Sequence, residues 1–288
     1  MKKIFFAICP FILFVTIISR TDLTFGESFP PTLNRANVAH RGASYLAPEN
    51  TLAAYRIAIS AGANGAECDV YKTSDDVLIL SHDKSTKRTM GGQNNDITKL
   101  SFNEIRKLDA GSWKGKQFKD EKVPTFDEYL ELLKDTKCSP VVEIKMEQIE
   151  KPVIDAIRKR GMIADTVIIA FSERVVKEVR HVEPNICVAW LYGGNPKSKG
   201  TPEENAEQLT DFLLKKSREL DVNILDLSHS ILSQKLVSKL KESGIHVWTW
   251  TVNDPERMKI LLDWGVESIT TDRPELLNEI LKKRKTIK

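Results

Sequence analysis

A (β/α)8 barrel is the fold class this sequence predicts, and three observations predict it. Short β-branched apolar runs alternate with amphipathic stretches of ten to eighteen residues, the pattern of strands and crossover helices. Eight of the runs are spaced widely enough to lie parallel, and eight parallel strands close a barrel of typical length ~250 residues. A doubly wound open sheet could be built from the same alternation, but no glycine-rich nucleotide loop supports it.

The strand runs are "ANVAH" at 36, "GAECDV" at 65, "PVVEIK" at 140, "TVIIAF" at 166, "ICVAWL" at 186, "VNILDL" at 222, "IHVWTW" at 245 and "VESITT" at 266. Helical segments follow them: "NTLAAYRIAISAG", "EKPVIDAIRKRG", "ERVVKEVRHV", "EENAEQLTDFLLKKSREL", "SQKLVSKLKESG", "DPERMKILLDWG" and "ELLNEILKKRK". Several finish at glycine, and Asp254 followed by Pro255 reads as a cap with proline at the first helical position.

A ninth run, "VLILSH" at 77, is separated from "GAECDV" only by a tight turn around "TSDD". A parallel neighbour needs a crossover of about a dozen residues or more, so this run returns antiparallel as a hairpin arm. Residues 83 to 124 then form a polar, glycine-containing insertion with one short helix at "SFNEIRKLDA". Insertions this long in a compact domain are usually functional, and this one is expected to overhang the barrel mouth.

With 41% hydrophobic and 29% charged side chains over 288 residues, the chain can bury a large core. The amino terminus reads as an export signal of residues 1 to 26: Lys2 and Lys3, the apolar run "IFFAICPFILFVTII", then small residues near "TFGES". A retained membrane anchor is the alternative, but the run is shorter than the ~20 residues a spanning helix needs. Cleavage after Gly26 would remove Lys2, Lys3, Arg20 and Asp22 and lower the formal charge from +3 to about +1. An exported protein, periplasmic or secreted, with a nearly neutral body is expected, and nucleic acid is not a natural partner. Cys68, Cys138 and Cys187 are an odd and scattered set, read as buried thiols rather than a disulfide framework. The basic tail "KKRKTIK" is a solvated terminus or a weak contact for anionic lipid.

The candidate chemistry falls at strand ends, where barrel enzymes build their sites. His40 and Arg41 end the first strand, and His82 and Asp83 end the hairpin arm. Glu67 and Asp69 lie two apart on the second strand and so share a face, with Cys68 on the other; Glu143 and Lys145 repeat that spacing. Each element alone has a plain structural reading, a solvent-facing pair or a hydrogen-bonded histidine. Three carboxylates converging inside a barrel, however, cost several kcal/mol unless a cation neutralises them. Glu67, Asp69 and Glu143 are hard oxygen donors suited to Mg2+ or Ca2+ rather than zinc. Two imidazoles can serve as general base and acid, and Arg41 with Lys145 suits a phosphate whose charge builds in the transition state. The combination points to phosphodiester hydrolysis.

In order along the chain, "AHRGASYLAPENTLAAY", "GAECDVYKTSDDVLILSHD", "LDAGSW", "VPTFDEYL", "VVEIK", "VWTWTVND" and "ITTDRPELL" resemble the glycerophosphodiester phosphodiesterases over residues 36 to 280. The resemblance implies one divalent cation (Mg2+ or Ca2+) and a small-molecule glycerophosphodiester as substrate, cleaved to sn-glycerol 3-phosphate and an alcohol. It implies His40 and His82 as the acid/base pair, Glu67, Asp69 and Glu143 as metal ligands, and Arg41 and Lys145 as phosphate-binding groups. Asn50 falls at a family site position, although it could equally cap the following helix. Trp250 and Asn253 could line the glycerol pocket, with plain packing the alternative for the tryptophan. Asp272 is read as structural, His181 as a surface residue and His246 as structural, while His229 could reach the mouth. Asp76 stands where the family's hairpin turn commonly has glycine. Lysophospholipase D chemistry, the same cleavage with one acyl chain retained, is a close variant; a non-catalytic phosphate-ligand binder is the reading from another class, and the presence of both histidines argues against it.

Overall fold

The computed structural model describes residues 36–194 and 199–286. Its strands are β1 (Ala36–Ala39), β2 (Gly65–Lys72), β3 (Leu78–Leu80), β4 (Ser139–Ile144), β5 (Val167–Ala170), β6 (Cys187–Tyr192), β7 (Ile224–Ser228), β8 (His246–Trp250) and β9 (Ser268–Thr271). All but β3 pair in parallel with their neighbours, and β1 is bonded to both β2 and β9. That double pairing closes the sheet, and the eight strands are the eight runs read from the sequence.

The helices are α1 (Leu52–Ser60), α2 (Phe102–Arg106), α3 (Phe126–Leu133), α4 (Glu150–Lys159), α5 (Glu173–Val182), α6 (Ala206–Leu220), α7 (Gln234–Glu242), α8 (Pro255–Asp263) and α9 (Pro274–Thr286). Their starts follow local side-chain chemistry. Thr125 and Glu128 form a capping box at α3, Ser101 and Glu104 form another at α2, and Asp254 accepts from the Glu256 amide ahead of Pro255 in α8. Helix α3 is the crossover from β2 to β4 and was absent from the periodic segments; it is only eight residues long and sits directly behind the polar insertion.

Period-two alternation divides each strand between two cores. Inward-facing Val38, Val141, Val167, Ile169, Ile224 and Trp248 fill the barrel, whereas Cys68, Val70, Val142, Ile168 and Val188 pack outward against the helices. Cys68, Cys138 and Cys187 are buried thiols, as expected.

Strand β2 continues past the barrel rim. Val70 pairs with Ile144, the last residue of β4, while Val70–Lys72 also carry β3 in antiparallel register. Glu67 and Asp69 therefore lie in mid-strand rather than at the strand's carboxyl end, yet Asp69 is level with Glu143 near the rim. Asp76 supplies the left-handed turn conformation itself (φ 63°) and pairs with Lys72 at 2.6 Å. The insertion has its own small core, in which Met90, Ile97, Ile105 and Val123 pack on Tyr71 and Ile79 of the hairpin. It reaches the loop after β1, where Lys114 Nζ donates to the Ser44 carbonyl (2.6 Å).

The proposed signal and its cleavage site lie outside the described residues, as do Ile287 and Lys288 of the basic tail. Among the described residues no helix is long and apolar enough to cross a membrane.

Candidate active site

A sharp bend after β1 organises the rim. Arg41 and Gly42 both take positive φ (54° and 79°), and a Cβ on Gly42 would lie 2.7 Å from the Ala54 backbone, so glycine alone fits there. The bend turns the Arg41 amide onto Glu67 Oε2 (2.7 Å) and leaves His40 at the cavity. Arg41 then donates from Nη1 to Glu49 (2.9 Å) and places Nε 3.3 Å from Asp69 Oδ2.

Each of the two rim imidazoles rests on a carboxylate. His40 Nδ1 lies 2.6 Å from Asp272 Oδ1, and His82 Nδ1 lies 2.8 Å from Asp83 Oδ1. A carboxylate partner places the proton on Nδ1, which reserves Nε2 of both rings for chemistry. Burial lowers the His82 pKa below its ordinary value, with Asp69 opposing and Arg41 adding to the effect. Asp83 is held at about 2, chiefly by its hydrogen bond from Arg88.

Asp272 is a correction to the sequence reading. Far from being only structural, it accepts from His40, from Ser44 Oγ (2.8 Å) and from Asn253 Nδ2 (2.6 Å), and these bonds overcome burial to hold its carboxyl well below the usual range. Asn253, expected near the glycerol pocket, instead brackets Asp272, also accepting from its backbone amide (2.9 Å). The physical reason is barrel closure: β9 lies beside β1, bringing together residues 232 apart in sequence.

Glu67, Asp69 and Glu143 meet at one point, with ligand oxygens all within 4.8 Å of one another. Burial and the charges of Asp69 and Glu143 push Glu67 well above the carboxylate range. Burial and Asp69 likewise push Glu143 up to about 7, against the pull of Lys145. Asp69 stays low despite burial because Arg41, Lys145 and His82 face it. Its Oδ1 is buried without a hydrogen bond, although Lys145 Nζ stands 3.4 Å away. Crowded oxygens, strained ionisation and an unspent acceptor are what a hard divalent cation would relieve, so the residues present fit one.

Lys145 Nζ also donates to Glu143 (2.8 Å). Asn50 does not cap α1; Thr51 does, accepting from the Ala54 amide. Buried Asn50 instead donates to Asp69 Oδ2 (2.8 Å) and accepts from its amide (3.2 Å), so its amide group holds a carboxylate and does not line the cavity.

The cavity is about 140 Å³ and is lined by His40, His82, Arg41 and Lys145 together with Phe171 and Trp250. Trp250 meets Phe171 edge to face (centroids 5.5 Å) and donates from Nε1 to the Asp226 carbonyl (3.1 Å). A larger depression of about 440 Å³ beside Tyr192 and Phe212 has no carboxylate, imidazole or cationic side chain in its lining among the described residues. The remaining histidines lie apart: His181 is exposed, His246 binds Glu267 Oε2 (2.6 Å) at the start of β8, and His229 does not line the cavity.

Sequence reasoning also missed Glu49, Arg88 and Asp226. Asp226 is 1% exposed, lines the cavity and has an Oδ1 with no hydrogen bond among the described residues; burial pushes its pKa far up. Its signal was a lone acid within the apolar run "NILDL".

A closed barrel that gathers two imidazoles, two cations and an acidic cluster at its rim is an architecture suited to a hydrolase. The model of the Glycerophosphoryl diester phosphodiesterase family matches residues 40–276. Among similar proteins, a glycerophosphodiester phosphodiesterase of Caldanaerobacter subterraneus subsp. tengcongensis is 32% identical over 251 residues, covering 85% of this chain and 97% of its own. A putative glycerophosphodiester phosphodiesterase of Bacillus subtilis is 29% identical, covering 83% of this chain and 95% of its own. The structure of an Oleispira antarctica phosphodiesterase in complex with the product sn-glycerol-3-phosphate superposes with a TM-score of 0.74 at 26% identity, over 85% of this chain and 96% of that one. The chain belongs to the glycerophosphoryl diester phosphodiesterase family and is a phosphoric diester hydrolase.

Proposed function

We propose that the protein hydrolyses glycerophosphodiesters, the deacylated forms of phospholipids, to sn-glycerol 3-phosphate and an alcohol, with one divalent cation, Mg2+ or Ca2+, held by Glu67, Asp69 and Glu143. The observation that carries this reading is the pair of imidazoles, each anchored at Nδ1 by a carboxylate, lining one small cavity with the acidic cluster. The product bound in the Oleispira relative supports the same substrate class.

When bound, the cation would polarise a phosphoryl oxygen and offset the charge that builds there. Arg41 and Lys145, which line the same cavity, offer that charge a guanidinium fork and an ammonium. His82, whose pKa burial lowers, takes the proton of the attacking water at Nε2. His40 gives a proton from Nε2 to the leaving oxygen while Asp272 holds the ring in place. Phe171 and Trp250, packed edge to face in the cavity lining, offer an apolar surface to the glycerol carbons.

The test is release of sn-glycerol 3-phosphate from glycerophosphocholine, measured with an enzyme-coupled assay. Activity should vanish on chelation and return with Mg2+ or Ca2+. His40→Ala and His82→Ala should each lose at least ~100-fold in turnover while remaining folded. A fully active double variant, or turnover indifferent to chelator, would overturn the reading. The proposal extends to an exported protein, whose test is whether residues 1 to 26 are absent from the protein recovered outside the cytoplasm.

A further inference from the structure

We propose that Arg88, a residue of the insertion, is a positioning residue for both His82 and Arg41; this rests on the proposed roles of those two groups. All three of its guanidinium nitrogens donate to one or other of two carboxylates. Nε donates to Asp83 Oδ2 (2.6 Å), while Nη1 and Nη2 donate to Glu49 Oε2 (2.6 Å) and Oε1 (2.7 Å). Each carboxylate passes the constraint inward. Asp83 turns its other oxygen to His82 Nδ1 (2.8 Å), and Glu49 Oε1 is shared with Arg41 Nη1 (2.9 Å). One guanidinium thus sits one carboxylate away from both functional groups.

Arg88 is held by the insertion rather than by the barrel. The amide of its neighbour Met90 donates to the Thr86 carbonyl (3.0 Å), and the Met90 side chain is buried in the insertion core. The long segment between β3 and β4 therefore carries the clamp that orients an imidazole and a phosphate-binding fork.

Removing Arg88 leaves Asp83 free to rotate, because only His82 then binds it, and a rotated carboxylate no longer selects the Nδ1–H tautomer. Glu49, half freed, keeps Arg41 as its remaining cationic partner and draws that side chain from Asp69 and the cavity. Lysine cannot replace the planar fork, since a single ammonium does not span two carboxylates with three directed bonds.

The experiment uses the full chain with Arg88→Ala and Arg88→Lys, each alone and combined with His82→Ala or Arg41→Ala. Both single variants should lose about 10- to 100-fold in kcat, the usual effect of removing a partner that orients a functional group. On the His82→Ala and Arg41→Ala backgrounds the further loss should shrink to a few-fold each, since groups acting as a unit are not additive. Nitrogen NMR of the imidazoles supplies a readout that needs no turnover: His82 should be held as the Nδ1–H tautomer in the parent protein and become a tautomer mixture in Arg88→Ala. If the parent releases no glycerol phosphate but the tautomer still changes, the clamp stands and the functional reading fails. Unchanged kcat and tautomer in Arg88→Ala, or the same fold loss on every background, would overturn the proposal. If Arg88→Ala does not fold, Arg88→Lys carries the test alone.

Discussion

Replacing Glu67 by glutamine separates cation binding from folding more cleanly than any other change in the site. Three carboxylates with oxygens within 4.8 Å of one another repel; at that distance, with an effective dielectric of ~20, each ionised pair costs about 3 kcal/mol. Burial adds to the repulsion, and together they push the Glu67 pKa well above its ordinary range and favour the protonated acid when no cation is present. Glutamine has the shape of that protonated acid and retains an oxygen for the Arg41 amide. Glu67→Gln should therefore change the stability of chelator-treated protein by less than about 1 kcal/mol. The parent protein, at a cation concentration 100-fold above Kd, should gain ~2.7 kcal/mol, or roughly 5 to 11 °C in Tm for a domain of this size. Thermal unfolding in EDTA, Mg2+ and Ca2+, with and without the substitution, gives both numbers. The full cation-dependent rise in Glu67→Gln, or its absence from the parent under every divalent ion, would refute the assignment.

Four further outcomes follow from the same geometry. Asp272→Asn exchanges an acceptor for an amide that meets Asn253 Nδ2 donor to donor and removes the charge from the His40 hydrogen bond; losing ~1.5 to 3 kcal/mol corresponds to about 10- to 100-fold in kcat/KM, and steady-state kinetics with an unchanged circular dichroism spectrum would show it. Glu143 holds its proton to about 7 in the folded protein against an ordinary value of 4.5, so between those values the folded state binds more protons than the unfolded one and chelator-treated protein should lose stability as pH rises. Cation affinity should climb through the same window with proton release, detectable by calorimetry in buffers of different ionisation enthalpy. Gly42→Ala forces a Cβ to 2.7 Å from Ala54 at φ 79° and should cost ~2 kcal/mol or more in urea unfolding, with activity falling as His40 and Arg41 shift.

The barrel and much of the rim were legible because their signals are local. Alternation along a strand puts Glu67 and Asp69 on one face and Cys68 on the other whatever the rest of the chain does. Likewise, the short link at "TSDD" excluded a parallel crossover and turned β3 into a hairpin arm. Helix α3 was legible in principle, since Phe126, Tyr129, Leu130 and Leu133 recur at helical spacing behind a capping box at Thr125 and Glu128, but at eight residues it is short and follows directly on the polar insertion.

What the chain determined by itself, then, was which residue types stand at which strand faces: two imidazoles, three acids and two cations directed toward one rim. Only the closed tertiary structure decided how they are held. Asp272 reaches His40 because β9 closes onto β1, Arg88 reaches Asp83 and Glu49 because the insertion folds back on the loop after β1, and Asn50 holds Asp69 while Thr51 takes the cap. Such contacts depend on where the summed packing of the whole barrel brings distant segments, and burial, which shifts the ionisation of Glu67, Glu143 and Asp226, is a property of that packing rather than of neighbouring letters.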